Sequence, residues 1–281
     1  MTRIEICYKI VLKTRCQKNR HFVVYITGGD LMEFMTHTDN EQKKVMHIYG
    51  DSILKGIVMD RTTGRYVPMH GDDFSAVSDQ YGVDIINKSK FGYTIDRGWA
   101  LLSRALQKTK PCDVLVLEYG GNDCNFDWKA VSDTPKGEHS PMTTLDIFCE
   151  TMKSMIAALR TVQIKPVLVS LPPIHAERYI DHIIATTAGT DKEKILSWLG
   201  GDVQMIYRFQ ELYSSAVTKI AYQTGCAYVD LRSAFLDKHN YHDLLCMDGI
   251  HPNEQGHALI SEAFRASADT FLCDGGEIKY A

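Results

Sequence analysis

The chain has 281 residues, 44 % of them hydrophobic and 23 % charged, which is enough apolar content for one sizeable core and excludes a disordered chain. A formal net charge of -4 gives no electrostatic reason to expect nucleic acid or an anionic membrane as partner. No stretch has the length of a membrane span, and the opening Met1-Thr2-Arg3-Ile4-Glu5-Ile6 carries an acid where a secretion signal would be apolar. A soluble, cytoplasmic protein without stable membrane insertion is therefore expected.

Residues 1–44 read as an N-terminal extension. Val23-Val24-Tyr25-Ile26 has strand character, Ile4 to Leu12 reads as a second strand, and the polar Lys13 to His21 between them suits a turn. Together they predict a hairpin, to which no role is assigned. From Val45 the pattern becomes regular and continues to the end, giving one domain over 45–281. Val45-Met46-His47-Ile48-Tyr49 predicts a strand, followed by Gly50-Asp51-Ser52 and a helical turn. Asp84 to Asn87 predicts a second strand and Ile95 to Gln107 a helix. Val114 to Tyr119 carries the strongest strand signal, and Ile147 to Val162 repeats apolar residues at helical spacing. Pro166 marks the approach to a strand over Val167-Leu168-Val169; residues 202–222 predict a long helix, Cys226 to Val229 a strand, and Glu254 to Ala268 a closing helix. Short apolar strands alternating with helices indicate a parallel sheet covered on both faces, with ligands bound beyond the carboxyl ends of its strands. Eight scattered cysteines without a CxxC pair give little support to structural zinc and are expected to be mostly free thiols.

The strand-to-helix loops are thus the places to look for chemistry. Ser52 follows the first sheet strand, where a nearby helix start offers N–H groups to a developing negative charge. Alone this is a weak signal, because the chain has four Gly-Asp pairs and a serine at a helix start is usually a cap. Asp248-Gly249-Ile250-His251-Pro252-Asn253 lies just ahead of the last helix. Three residues apart on a loop, Asp248 can fix the tautomer of His251 and leave its other ring nitrogen to take a serine proton. The competing reading is a capped helix start with a surface histidine. Gly120-Gly121-Asn122-Asp123 leaves the strongest strand, and the Asn122 amide can donate to an oxyanion, although two glycines with Asn-Asp also make an ordinary turn. Gly92 offers a further backbone N–H.

Taken together, these loops resemble the SGNH, or GDSL-type, hydrolases of the esterase and lipase class. Gly50-Asp51-Ser52-Ile53, the Asn87 to Thr94 stretch with Gly92, Gly120-Gly121-Asn122-Asp123 and Asp248-Gly249-Ile250-His251 match the four family blocks in order. Isoleucine stands at position 53 where the name-giving leucine often does. The resemblance covers roughly Val45 to Phe271. It implies an α/β fold, a three-layer α/β/α sandwich with a parallel flavodoxin-like sheet. It further implies a catalytic Ser52, His251 and Asp248, and an oxyanion hole formed by the N–H groups of Ser52 and Gly92 with the Asn122 side chain. No metal and no organic cofactor is implied.

For the substrate, the stretch from Cys124 to Thr144 is a candidate pocket wall or lid, with Phe126 and Trp128 as aromatic surface, and His175 as a further candidate lining residue. A small or medium acyl ester is expected, hydrolysed through a covalent acyl-enzyme. An acetylated sugar is the alternative within the same chemistry, and a non-catalytic binding protein of the same fold the alternative outside it.

Overall fold

The computed structural model describes residues 43–69, 74–107 and 110–273. The expected N-terminal hairpin lies outside the described residues. Among the described residues, five strands form the central sheet: β1 (Val45–Gly50), β4 (Asp84–Asn87), β5 (Val114–Glu118), β6 (Lys165–Val169) and β7 (Ala227–Val229). All pair in parallel, in the order β4-β1-β5-β6-β7, which is the flavodoxin-like order with its switch point between β1 and β5. Pro166 sits inside β6 without breaking it. Lys165 donates its N–H to Asp113 across to β5, so the position of Pro166 faces the other side, where β7 pairs only from Val167 onward.

Strand side chains alternate between two cores, as a pleated sheet requires. Met46, Ile48, Val114, Val116, Val167 and Val229 enter one core, with α1 (Ser75–Tyr81), α8 (Leu231–Leu236) and α9 (Glu254–Ser267) packed on that face through Val77, Phe235 and Phe264. Tyr49, Leu115, Leu117 and Leu168 enter the other, under α2 (Ile95–Leu106), α4 (Leu145–Thr161) and α7 (Gln204–Thr224). The result is a three-layer α/β/α sandwich in which every sheet strand read from the sequence is present.

Two features beyond the sandwich shape the site. A third apolar cluster joins Trp128 and Val131 of α3 (Trp128–Asp133), Ile180 and Ile183 of α5 (Ala176–Thr186), Ile195 of α6 (Lys192–Trp198) and Ile206 at the start of α7. This small helical cap stands beside the carboxyl end of the sheet. In addition, Ile57–Met59 (β2) and Tyr66–Pro68 (β3) form an antiparallel hairpin. After Ser52 the chain makes a single turn: Lys55 N–H bonds Asp51 O at 3.1 Å and Gly56 N–H bonds Ile53 O at 3.1 Å before β2 begins. Gly56, at φ 74, closes that turn in a left-handed conformation that an L side chain rarely adopts.

Candidate active site

Each candidate residue leaves the carboxyl end of a sheet strand or the loop before α9. Ser52 follows β1, Gly92 follows β4, and Asn122 follows β5. The Asp248–His251 loop is pinned by a Leu245–Pro252 bridge, by Cys246 N–H to His251 O at 2.7 Å, and by Asn253, whose Oδ1 accepts from Gln255 and Gly256 N–H to cap α9. Gly249 is required there. Its φ is 76, and a Cβ would lie 2.6 Å from His175 O and 2.8 Å from Arg178 Cβ, so α5 can approach the loop only over a glycine.

The geometry brings Ser52, His251 and Asp248 together. His251 Nε2 lies 2.9 Å from Ser52 Oγ, and His251 Nδ1 lies 2.6 Å from Asp248 Oδ2. The other Asp248 oxygen accepts from the N–H groups of Ile250 (3.0 Å) and His251 (3.1 Å). Burial alone would raise the Asp248 pKa. The His251 hydrogen bond and charge, with the two backbone donors, outweigh it and hold the carboxyl below its ordinary 3.8. A buried carboxylate that stays ionised fixes the Nδ1–H tautomer and leaves Nε2 as the acceptor facing Ser52.

Among the described residues, nothing accepts from the backbone N–H of Ser52 or of Gly92. Both residues line the same cavity as His251, and Gly92 has φ 70. Asn122 also lines it, but its amide is already engaged, donating to Asp51 Oδ2 at 3.0 Å and to Tyr93 O at 3.1 Å. Donation from Asn122 to a substrate oxygen would therefore share a proton with one of these acceptors.

Beneath these donors lies an acid pair. Asp51 N–H donates to Glu118 Oε2 at 3.3 Å, and both side chains are almost completely buried. Burial is the main cause raising Asp51, to about 6, against the Ile53 N–H, the His251 charge and the Asn122 amide. Burial first, then the Asp51 charge, push Glu118 well above its ordinary 4.5. Asp51 has the better donors while Glu118 Oε1 has no partner, so the proton belongs on Glu118. Asp123, raised to about 7 mainly by burial, accepts from Ile95 N–H at the start of α2 and so ties the Asn122 loop to that helix.

The cavity in front of Ser52 measures about 410 Å³. Its far wall comes from the helical cap and includes Phe126, Trp128, Ile183, Ile206 and Phe209. The expected wall residues Phe126 and Trp128 thus do line it, at 7 % and 6 % exposure, within an aromatic cluster that places Phe126 4.9 Å from Phe209 and 5.0 Å from Trp198. His175 does not line it, which corrects the sequence expectation. Its Nδ1 accepts from Arg178 N–H to cap α5, its ring packs on His242, and its N–H donates to Gly249 O at 2.7 Å. It braces the Asp248–His251 loop from behind. Tyr66, Phe91 and His182 line the cavity without having been singled out in the sequence. For Tyr66 the available signal was Thr62-Thr63-Gly64 between two short β-rich runs, a hairpin pattern; for His182 it was the spacing Tyr179, His182, Ile183, Thr186 along one face of α5. Cys112, Cys124, Cys149, Cys226 and Cys246 are free thiols as expected, whereas Cys273 is disulfide-bonded. Among the described residues no helix is long and apolar enough to cross a membrane.

Comparison with solved structures places this architecture among known hydrolases. A catalytic mutant of the acetylxylan esterase Axe2 from Geobacillus stearothermophilus is similar at 20 % identity, covering 85 % of this chain and 97 % of that one, with a TM-score of 0.54. A lipase/acylhydrolase from Enterococcus faecalis is similar at 16 % identity over 83 % and 99 %, with a TM-score of 0.55. LAE5, an alpha/beta hydrolase enzyme from the metagenome of Lake Arreo, Spain, is similar at 19 % identity over 81 % and 96 %, with a TM-score of 0.54. At these identities the likeness is one of fold. No curated protein matches by sequence. The model of the GDSL-like Lipase/Acylhydrolase family matches residues 48–259, from within β1 to within α9. On that match the chain belongs to the GDSL-like Lipase/Acylhydrolase family, and it is a carboxylic ester hydrolase.

Proposed function

We propose that the chain is a serine esterase acting on small or medium acyl esters through Ser52, His251 and Asp248. The observation that carries this reading is the unbroken chain from Ser52 Oγ through the His251 ring to Asp248, at 2.9 and 2.6 Å, opening on a cavity with an apolar cap-side wall. In the proposed cycle the Ser52 oxygen attacks the ester carbonyl as its proton passes to His251 Nε2. The resulting oxyanion is met by the Ser52 and Gly92 N–H groups and a shared Asn122 amide proton. His251 then protonates the departing alcohol oxygen, leaving an acyl-Ser52 ester. Water, deprotonated by His251, hydrolyses that ester and returns the serine.

The cavity volume of about 410 Å³ falls in the range typical of small-ligand pockets, roughly 300–1,000 Å³. Its cap-side wall of Phe126, Ile183, Ile206 and Phe209 suits an acyl chain better than a sugar ring. Trp128 and Phe126 are packed edge and face into the cap, so neither presents an open platform for carbohydrate stacking. The test is a p-nitrophenyl ester series from acetyl to palmitoyl beside acetylated xylo-oligosaccharides. Turnover peaking at short to medium chains is expected. A preference for the acetylated sugar, or for the longest chains, would overturn the substrate assignment while leaving the serine chemistry in place.

A further inference from the structure

The hydrogen-bond chain does not stop at Asp248. Tyr66, carried on β3, donates its hydroxyl to Asp248 Oδ2 at 3.0 Å, the same oxygen that meets His251 Nδ1. The Tyr66 oxygen also lies 3.0 Å from His182 Nε2 on α5, and the Tyr66 ring packs against the His251 ring with centroids 4.7 Å apart. Resting on the Ser52–His251–Asp248 reading, we infer that Tyr66 is a positioning residue for the Asp248–His251 pair, with its hydroxyl aimed by His182.

A phenol has one proton and here two neighbours that can accept it. The Asp248 carboxylate is anionic and fully buried, so it takes the Tyr66 proton in preference to a neutral imidazole. Burial, its largest cause, lowers the His182 pKa, so His182 is neutral near pH 7. Its Nε2 must then carry the hydrogen and donate to the Tyr66 oxygen, since that oxygen's own proton is committed. The order of donation is His182 to Tyr66 to Asp248, with His251 donating to Asp248 from the other side. Asp248 thereby holds four donors, two on each oxygen, and neither it nor the His251 ring can rotate without breaking one.

The hairpin that delivers Tyr66 is fastened to the same machinery. Met59 N–H contacts Cys246 Sγ at 3.3 Å, two residues before Asp248, and His257 of α9 lies 3.3 Å from Ile57 O. The other titratable groups near the carboxylate, Tyr179 and Cys246, are both raised by burial and stay neutral. The Tyr66 hydroxyl therefore does two things. It orients the carboxylate, and it draws charge from Oδ2 that would otherwise bind the His251 proton more tightly.

Both roles give signatures that a merely structural tyrosine lacks. The test compares wild type, Tyr66→Phe, His182→Gln and His182→Phe for p-nitrophenyl ester turnover across pH and for the rate of fluorophosphonate labelling, with Ser52→Ala as reference. For Tyr66→Phe, folded by circular dichroism, kcat is expected to fall roughly tenfold to a hundredfold with KM little changed, the loss expected for a hydrogen bond to a charged group. The acid limb of kcat/KM is expected to move to higher pH, because His251 keeps its proton longer. His182→Phe should lose part of the same activity, and His182→Gln, which keeps a donor, should recover it. A Tyr66→Phe variant within about twofold of wild type in kcat and labelling rate, or one that changes KM alone, would overturn the inference. Loss of the serine reading looks different: Ser52→Ala would then turn over and label as wild type does.

Discussion

Asparagine at position 248 would change one heavy atom and leave no orientation of the side chain satisfied. Asp248 Oδ1 accepts from the backbone N–H groups of Ile250 and His251, and Oδ2 accepts from His251 Nδ1–H and the Tyr66 hydroxyl. An amide nitrogen in the first position would face two backbone donors that cannot turn away. In the second position it faces two donors that can, so that orientation wins. The Tyr66 hydroxyl then turns its hydrogen to His182 Nε2, whose own hydrogen moves to Nδ1, and His251 moves its hydrogen from Nδ1 to Nε2. Nε2–H now points at Ser52 Oγ and cannot take its proton. The expected loss in kcat is about 10⁴-fold, close to 5.4 kcal/mol of transition-state stabilisation. Stability should fall as well. The native pKa of Asp248 lies below its ordinary 3.8, so the carboxylate stabilises the fold above that pH and the contribution is lost as pH falls through the native value. The gap between wild type and Asp248→Asn in thermal melts should thus be full near pH 7 and close below about pH 4. Aryl-ester kinetics measure the first effect, and ¹⁵N NMR of the His251 ring reads the tautomer. A folded variant within about tenfold of wild type, or one that is slow yet keeps the Nδ1–H tautomer, would rule out the tautomer switch as the role of Asp248.

Asn122→Ala removes the one side-chain oxyanion donor and is expected to lower kcat by about 10²-fold, toward the lower end for such groups because its amide protons are shared with Asp51 and Tyr93. Unchanged kcat would leave the oxyanion to the Ser52 and Gly92 N–H groups alone. Glu118→Gln replaces a carboxyl that the fold keeps neutral by one that is always neutral. A native pKa above 4.5 means that wild type gives up stability as pH rises past 4.5, so the variant should be the more stable protein near pH 8 and lose that advantage near pH 4. Denaturant melts at both pH values test this, and a variant less stable than wild type by the same margin at each would contradict the neutral assignment.

The parts of the site legible in the sequence are those set by local chain geometry. Asp248 and His251 are three residues apart on one loop, and Ser52, Gly92 and Asn122 each follow an apolar strand whose parallel pairing fixes where its carboxyl end must lie. The inner sheet strands were legible because both faces are buried, which leaves continuous apolar runs such as Val114 to Leu117. What was not legible depends on contacts between distant segments. Tyr66 reaches Asp248 across 182 positions, from a hairpin whose strands have three residues each, too short to stand out by alternation. His175 looked like a pocket residue because it follows a strand exit at Pro172-Pro173. The turn into α5 instead directs its ring to cap that helix and its backbone to brace Gly249. Helices α5 and α6 of the cap were missed for a related reason: Ile180, Ile183 and Ile195 bury against each other and α3 rather than against the sheet.

Covalent trapping tests whether Ser52 is the nucleophile. Purified wild type and Ser52→Ala would be treated with a fluorophosphonate and read by intact mass and peptide mapping, with hydrolysis of a short aryl ester followed in parallel. One adduct on Ser52 is expected in wild type, with labelling and turnover both lost in the folded variant. Equal labelling or equal turnover in the two proteins would contradict it.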